Sequence, residues 1–542
     1  MRLVPFSAFF VFFIIFVAAC AVSVPTVDVV SDTAAISRLK SDVAWLADDQ
    51  RMGRKPGDKG YDDAADYVAE RYESLGLEPA DGDHWKQEIK FRRITTQPNS
   101  AHATLTDKAG AKIPLTPGKQ FNLFPGSMEQ SVTIDDAPLV FVGYGIHAPQ
   151  FGYDNYSDAD ILGKVAIITN GAPTEFNRDQ KNYFGSTSHK FEAAREKGAA
   201  AILFVNTKSK PDAERAPRVR RAFTQWVAQD GATSKELLPY LTLRNDILAM
   251  MFDGSGYSVD EIMSDVKNGK WDEKNIQLST RLSLQGRSNQ EFFTSHNVVG
   301  LIEGEDPVLR NEVVVLTAHL DHLGVNDKQL AQGKDGTYNG AMDNATGVAI
   351  MLEVARMIQY GQRPTRSVAI VALTGEESGL LGSDYFAHYP PLGDKEIIAN
   401  INLDMPILLH HFTDIVGFGA ARSSLGETME NALRLSDVEP APDPVPELGV
   451  FARSDHYSFV KQGVPSLFLW TGFSNGGEEA FRDFYKNHYH RPSDDLTQPI
   501  LYSQMARFTA LNTMIALEVA NQKARPSWNQ GDFYGELFGR AP

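Results

Sequence analysis

From Asn297 to Trp470 the chain carries a series of short apolar runs, NVVGLI, EVVVLTAH, SVAIVAL, IIANINLD and SLFLW, separated by stretches of helical periodicity. A strand with one wet face alternates apolar and polar residues. These runs do not alternate, so each must be covered on both faces. The segments between them supply the cover. Helices are expected over about 345–359, 380–388 and 503–520, the last with Met505, Phe508, Leu511 and Ile515 along one side. The arrangement that satisfies all of them is an α/β fold built on a mostly parallel, helix-covered sheet.

The chain has 542 residues, more than one core normally supports, so more than one folded unit is expected. Ahead of the apolar runs, Ile36, Leu39, Val43 and Leu46, and then Ala65, Val68, Tyr72 and Leu75, repeat at helical spacing before Gly76. A different style begins near residue 130: short β-type runs LVFVGYG and KVAIIT, a helical SHKFEAAREKG, then AAAILFV and PYLTL. This order reads as a smaller α/β module over 130–260. A formal charge of −17 argues against a nucleic-acid binder, which would present a basic face.

Residues 1–21 have the layout of an export signal: one Arg, a long apolar run, then small residues. The single cysteine of the chain, Cys20, follows Val17-Ala18-Ala19 and resembles a bacterial lipobox, in which that Cys becomes the lipidated first residue. Ordinary signal cleavage at Ala19-Cys20-Ala21 is the alternative. An exported, periplasmic lipoprotein or a secreted protein is expected, touching a membrane only through that lipid. With no second cysteine, the exported part folds without disulfides.

In open α/β sheets ligands bind beyond the carboxyl ends of the strands, so the polar residues directly after the apolar runs carry the chemistry. These are His319, Asp321 and His322 after EVVVLTA, Glu376 and Glu377 after SVAIVAL, and Asp404 after IIANINL. Asp343 in GAMDNATG and His490 in HYHRPSDD lie on loops. Singly, each has a structural reading: Asp343 can serve a helix N-terminus, Asp404 a turn, and His490 a surface loop. Brought to one rim, the carboxylates would repel one another, and a divalent cation removes that conflict. Oxygen and nitrogen donors without thiolates suit zinc, with manganese or cobalt open. Of the adjacent glutamates, one can bind metal while the other faces a bound water as general base.

The motifs TAHLDHLG, GAMDNATG, TGEESGLLGS, NLDMP and YHRPSDD resemble, in order and spacing, those of the co-catalytic di-zinc exopeptidases of metallopeptidase family 28. That family includes bacterial leucyl-type aminopeptidases and has glutamate carboxypeptidase and the transferrin receptor as relatives. The middle module resembles a protease-associated domain inserted into the peptidase domain, of which 33–95 would be the N-terminal part and 290–525 the main part. The resemblance implies two zinc ions, with His319 and Asp404 on one, Glu377 and His490 on the other, and Asp343 bridging. It further implies Glu376 as general base, Asp321 behind His319 fixing its ring, and Tyr489 near the substrate carbonyl or simply at the pocket wall. His322 and His456 are additional histidines, expected to lie behind the ligands or along the pocket.

The expected activity is that of an exported zinc aminopeptidase acting on peptides. Carboxypeptidase action and glutaminyl cyclisation are the alternatives on the same scaffold, the latter with one zinc. A non-catalytic binding protein is the alternative of another class, disfavoured because every ligand and the base are kept.

Overall fold

The computed structural model describes residues 32–539 apart from 81, 158, 208–217, 221 and 272–274; the expected export signal and Cys20 lie outside the described residues. Among the described residues no helix is long and apolar enough to cross a membrane.

The apolar runs pair as a central sheet whose middle is parallel. Ser367–Leu373, Glu312–His319, Glu396–Asn402 and Ser466–Thr471 lie side by side in that order, all in the same direction. Antiparallel strands flank this parallel middle. Asp414–Phe418 runs antiparallel to Ser466–Thr471 on one side, and the end of Ile276–Ile302 runs antiparallel to Ser367–Leu373 on the other. Outside it come Lys86–Thr96 and Ala222–Val227, both antiparallel to their neighbours.

Burial explains why the central runs are continuously apolar. Val314, Leu316 and Ala318 pack into a core on one face of the sheet, beneath the helices Thr33–Leu46, Lys59–Leu75, Thr346–Tyr360 and Tyr502–Asn521. Val313 and Val315 face a second core shared with Phe386 of the helix Leu381–His388 and Phe459 of the helix His456–Lys461. The strand period of two therefore delivers alternate apolar residues to two different cores. The first helix is fastened to this layer by Arg38, which donates from Nε and Nη2 to the buried Glu353 at 2.9 and 2.7 Å.

A second sheet is built from His102–Thr106, Ser131–Phe141, Val165–Thr169, Ala201–Val205, Tyr240–Leu243 and shorter strands. It takes in strands on both sides of 130–260, because Ile276–Ile302 is one strand of 27 residues that serves both sheets. Its first half pairs with His102–Thr106 and Ser131–Phe141, and its second half pairs with Lys86–Thr96 and Ser367–Leu373.

Beneath the carboxyl ends of the parallel strands lies a buried guanidinium. Arg54, in the turn Asp49–Arg54, is 1% exposed. Its Nε donates to Leu320 O at 2.8 Å, Nη1 to Leu46 O at 2.7 Å and Asn339 O at 2.6 Å, and Nη2 to Gly340 O at 3.0 Å. Burial pulls its pKa down to about 10, opposed by Asp494, Asp321, Asp343 and Glu377, so it stays charged at neutral pH. One side chain thus ties the N-terminal helix to the loops that carry His319 and Asp343. Arg54→Met keeps the stem but leaves these carbonyl groups buried without donors. It is expected to destabilise the protein by about 3 kcal/mol or more, read as a lower melting temperature and urea midpoint.

Candidate metal centre

Three neighbouring parallel strands end at one rim. His319 is the last residue of the central one, Glu376 and Glu377 follow Ser367–Leu373, and Asp404 follows Glu396–Asn402. Asp343 precedes the helix Thr346–Tyr360, and His490 follows the helix Gly477–Asn487. Strand order alone therefore brings together groups scattered along the chain.

Asp343 stands between two imidazoles. Its Oδ1 is 3.1 Å from His319 Nε2 and its Oδ2 is 3.3 Å from His490 Nε2. His319 Nε2 is also 3.2 Å from Asp404 Oδ1, and His490 Nε2 is 3.0 Å from Glu377 Oε2. Donor separations of this size match the edges, about 3.3 Å, of a tetrahedron around an ion with ligand bonds near 2.0–2.1 Å. Two sets of three donors gather within 4.8 Å of one another: His319, Asp343 and Asp404, and His322, Asp343 and Glu377. The donors are all nitrogen and carboxylate oxygen, so the residues present fit a pair of divalent cations sharing Asp343.

The supporting contacts differ in one respect from expectation. Asp321 was expected to hold His319 through its carboxylate, but His319 Nδ1 lies 3.1 Å from the main-chain carbonyl of Asp321 and 4.0 Å from its Oδ1. The carboxylate instead accepts the backbone N–H of Glu376 at 3.1 Å and of Glu377 at 3.4 Å. It shapes the turn that carries both glutamates. A spacing of two residues shows that Asp321 is near His319 without showing which of its oxygens faces the ring.

Other fixing groups went unassigned from sequence. Asp494, within the YHRPSDD motif, accepts the N–H of Met342 at 2.8 Å and of Asp343 at 3.0 Å. Asn344 donates to Leu403 O at 2.9 Å and accepts from Met405 N at 3.1 Å, joining the Asp343 turn to the Asp404 turn. Ser454 Oγ donates to Asp404 Oδ2 at 2.5 Å. Two of these signals stood beside ligands inside quoted motifs, yet only the three-dimensional closure gives them partners.

The electrostatics follow from crowding. Burial and then the charges of Glu377, Asp404 and Asp455 hold the Glu376 carboxyl well above the usual range, against the pull of His319. Burial raises Asp321 and Asp494 to about 6 each, with backbone N–H donors acting in the opposite sense. Burial opposes charge on His319, but Asp404 and Asp343 raise its pKa overall.

Glu376, His319, Asp343 and Asp404 floor a cleft walled by Met405, Leu448, Val450, Phe468, Trp470, Tyr485 and Tyr489, with Arg453 also lining it. Tyr489 stacks on His490 at 3.8 Å between ring centres and on Tyr485 at 5.1 Å, so it forms wall and ligand support together. Beyond it an open groove of about 540 Å³ is lined by Gln329, Asp335, Tyr338 and Arg491. His456 packs between Phe451 and Phe468, each 5.2 Å away, and belongs to neither donor set.

Residues 297–516 match Peptidase family M28. Aminopeptidase YwaD of Bacillus subtilis (strain 168) is 26% identical over 268 residues, 48% of this chain and 44% of that protein. A probable leucine aminopeptidase 2 of Aspergillus oryzae is 28% identical over 235 residues, 40% of this chain and 44% of that protein. The chain thus spans a little under half the length of these curated relatives. Among solved structures, an aminopeptidase from Aneurinibacillus sp. strain AM-1 superposes with a TM-score of 0.50 at 19% identity, covering 90% of this chain and 95% of that one, which is a likeness of fold. With the matched segment containing every donor at the rim, the chain carries a Peptidase family M28 domain across residues 297–516.

Proposed function

We propose that this protein is a di-zinc aminopeptidase that removes N-terminal residues from peptides. The observation that carries the reading is Asp343 with each oxygen turned to a different imidazole, beside Glu376 in the same cleft. His319, Asp343 and Asp404 would hold one ion, and Asp343, Glu377 and His490 the other. When bound, such ions polarise a scissile carbonyl and lower the pKa of a water between them.

The chain's own residues do the rest. Glu376 faces the same cleft as the donors and takes the proton of the attacking water, then returns it to the leaving amine. Asp321 and Asp494 fix the turns beneath the ligands through backbone N–H groups, and Tyr489 closes the wall over His490. The acidic floor complements an N-terminal ammonium, and Met405, Leu448, Val450 and Phe468 offer an apolar seat for the first side chain. Export, with lipid attachment at Cys20 or ordinary cleavage, and a protease-associated module over 130–260 belong to the same proposal and rest on the sequence.

A second reading is favoured by Arg453. It is the one guanidinium among the described residues of that cleft, and a guanidinium there suits a peptide carboxylate, as a carboxypeptidase requires.

Glu376→Gln is expected to keep two zinc ions per chain while kcat falls by about 10²- to 10⁴-fold; loss of the metals in that variant would reassign Glu376 to ligation. Aminoacyl and N-terminally blocked peptides, offered with and without a chelator, separate the two readings. The aminopeptidase cleaves only free N-termini and recovers when zinc is restored. Cleavage of blocked peptides that weakens in Arg453→Gln would establish the carboxypeptidase reading instead.

A further inference from the structure

His322 lies three residues beyond His319 in TAHLDHLG, and its backbone N–H donates to Arg54 O at 3.1 Å, which aims the side chain into the rim. The ring is 1% exposed. Its Nδ1 lies 2.7 Å from Glu377 Oε1, yet the two are not in hydrogen-bonding geometry, and neither ring nitrogen nor Oε1 has a hydrogen-bond partner. Buried polar atoms left in this way are unfavourable unless something else engages them. A ring nitrogen and a carboxylate oxygen in close contact without a hydrogen bond between them are what two ligands of one cation look like.

The surroundings agree. Glu377 offers its other oxygen, Oε2, to His490 at 3.0 Å, and Asp343 completes a set within 4.8 Å of His322 and Glu377. The rings of His322 and His490 meet at 68° with centres 5.7 Å apart, as two imidazoles around one point do. Space for the ring is reserved by Gly340, which sits at φ 58°; a Cβ there would fall 2.7 Å from His322 Cγ.

We propose that His322 is a direct protein ligand of the second cation, whose cage is then Asp343, Glu377, His490 and His322. This rests on the di-zinc reading and extends its ligand set. The two sites become unequal: the first has one imidazole and two carboxylates, the second two imidazoles and two carboxylates. The nitrogen-richer site favours zinc over magnesium or manganese and fills first. The second ion then has four protein ligands to the first ion's three, which leaves more room for substrate on the first.

The test uses the zinc-loaded full-length protein. Crystals measured at the zinc edge should place His322 Nδ1 at about 2.0–2.1 Å from one of two anomalous peaks. In solution, His322→Gln should weaken one zinc at least 100-fold in chelator competition and leave the other unchanged, with the wild-type circular dichroism spectrum. Two zinc peaks with His322 beyond bonding distance of both would overturn the inference and leave the di-zinc reading standing. Unaltered affinity for both ions in a folded His322→Gln would do the same. A wild-type protein that takes up no zinc overturns the di-zinc reading and this inference together.

Discussion

Like charges crowded at one sheet edge set the terms for everything around them. Asp321, Asp343, Glu376, Glu377, Asp404 and Asp494 all come to the rim where three parallel strands end, and in a poorly hydrated setting their repulsion is severe. The fold answers each in a different way. Backbone N–H groups meet Asp321 and Asp494, a hydroxyl meets Asp404, and imidazoles meet Asp343 and Glu377. Arg54 lends a positive charge from below without forming an ion pair with any of them, since its hydrogen bonds go to carbonyl groups. The adjacent glutamates are therefore part of a balanced cluster, in which one is claimed by histidines and the other is left proton-hungry.

The balance draws on more than the family-matched segment. Arg54 and the helices Thr33–Leu46 and Lys59–Leu75 precede residue 297, yet they pack in the same core as Thr346–Tyr360, and Arg54 holds the loops of His319 and Asp343. The N-terminal segment is thus a floor for the site, which is why its apolar spacing matches that of the helices it joins.

What could be read from residues alone follows from which signals are local. Runs such as EVVVLTAH and SVAIVAL announce buried strands, and the polar residue that ends each run falls at the rim because strand polarity dictates it. Arg54 gave no such sign. It lies in the turn-rich RMGRKPGDKG with φ 45°, where nothing periodic marks a buried charge. His322 looked like a neighbour of the ligands, because its ring direction depends on a hydrogen bond to a residue far back in the chain. The long strand Ile276–Ile302 was hidden for another reason. Its middle, GRSNQEFFTSH, is mostly polar and partly exposed where it pairs with Lys86–Thr96, so only its apolar end, NVVGLI, resembled a strand.

That shared strand also joins the two sheets without a break. Residues 298–302 pair with Ser367–Leu373, and Glu376 stands three positions past Leu373, while residues 276–287 are the ladder partners of the second sheet. Along this strand no loop separates the two ladders: Arg287 pairs with Ser131 and Ser288 with Thr96. Its far end lies one inter-strand spacing, about 4.8 Å, from the strand that feeds the glutamate turn. The second sheet is thus anchored, through one uninterrupted strand, beside the strand that carries Glu376.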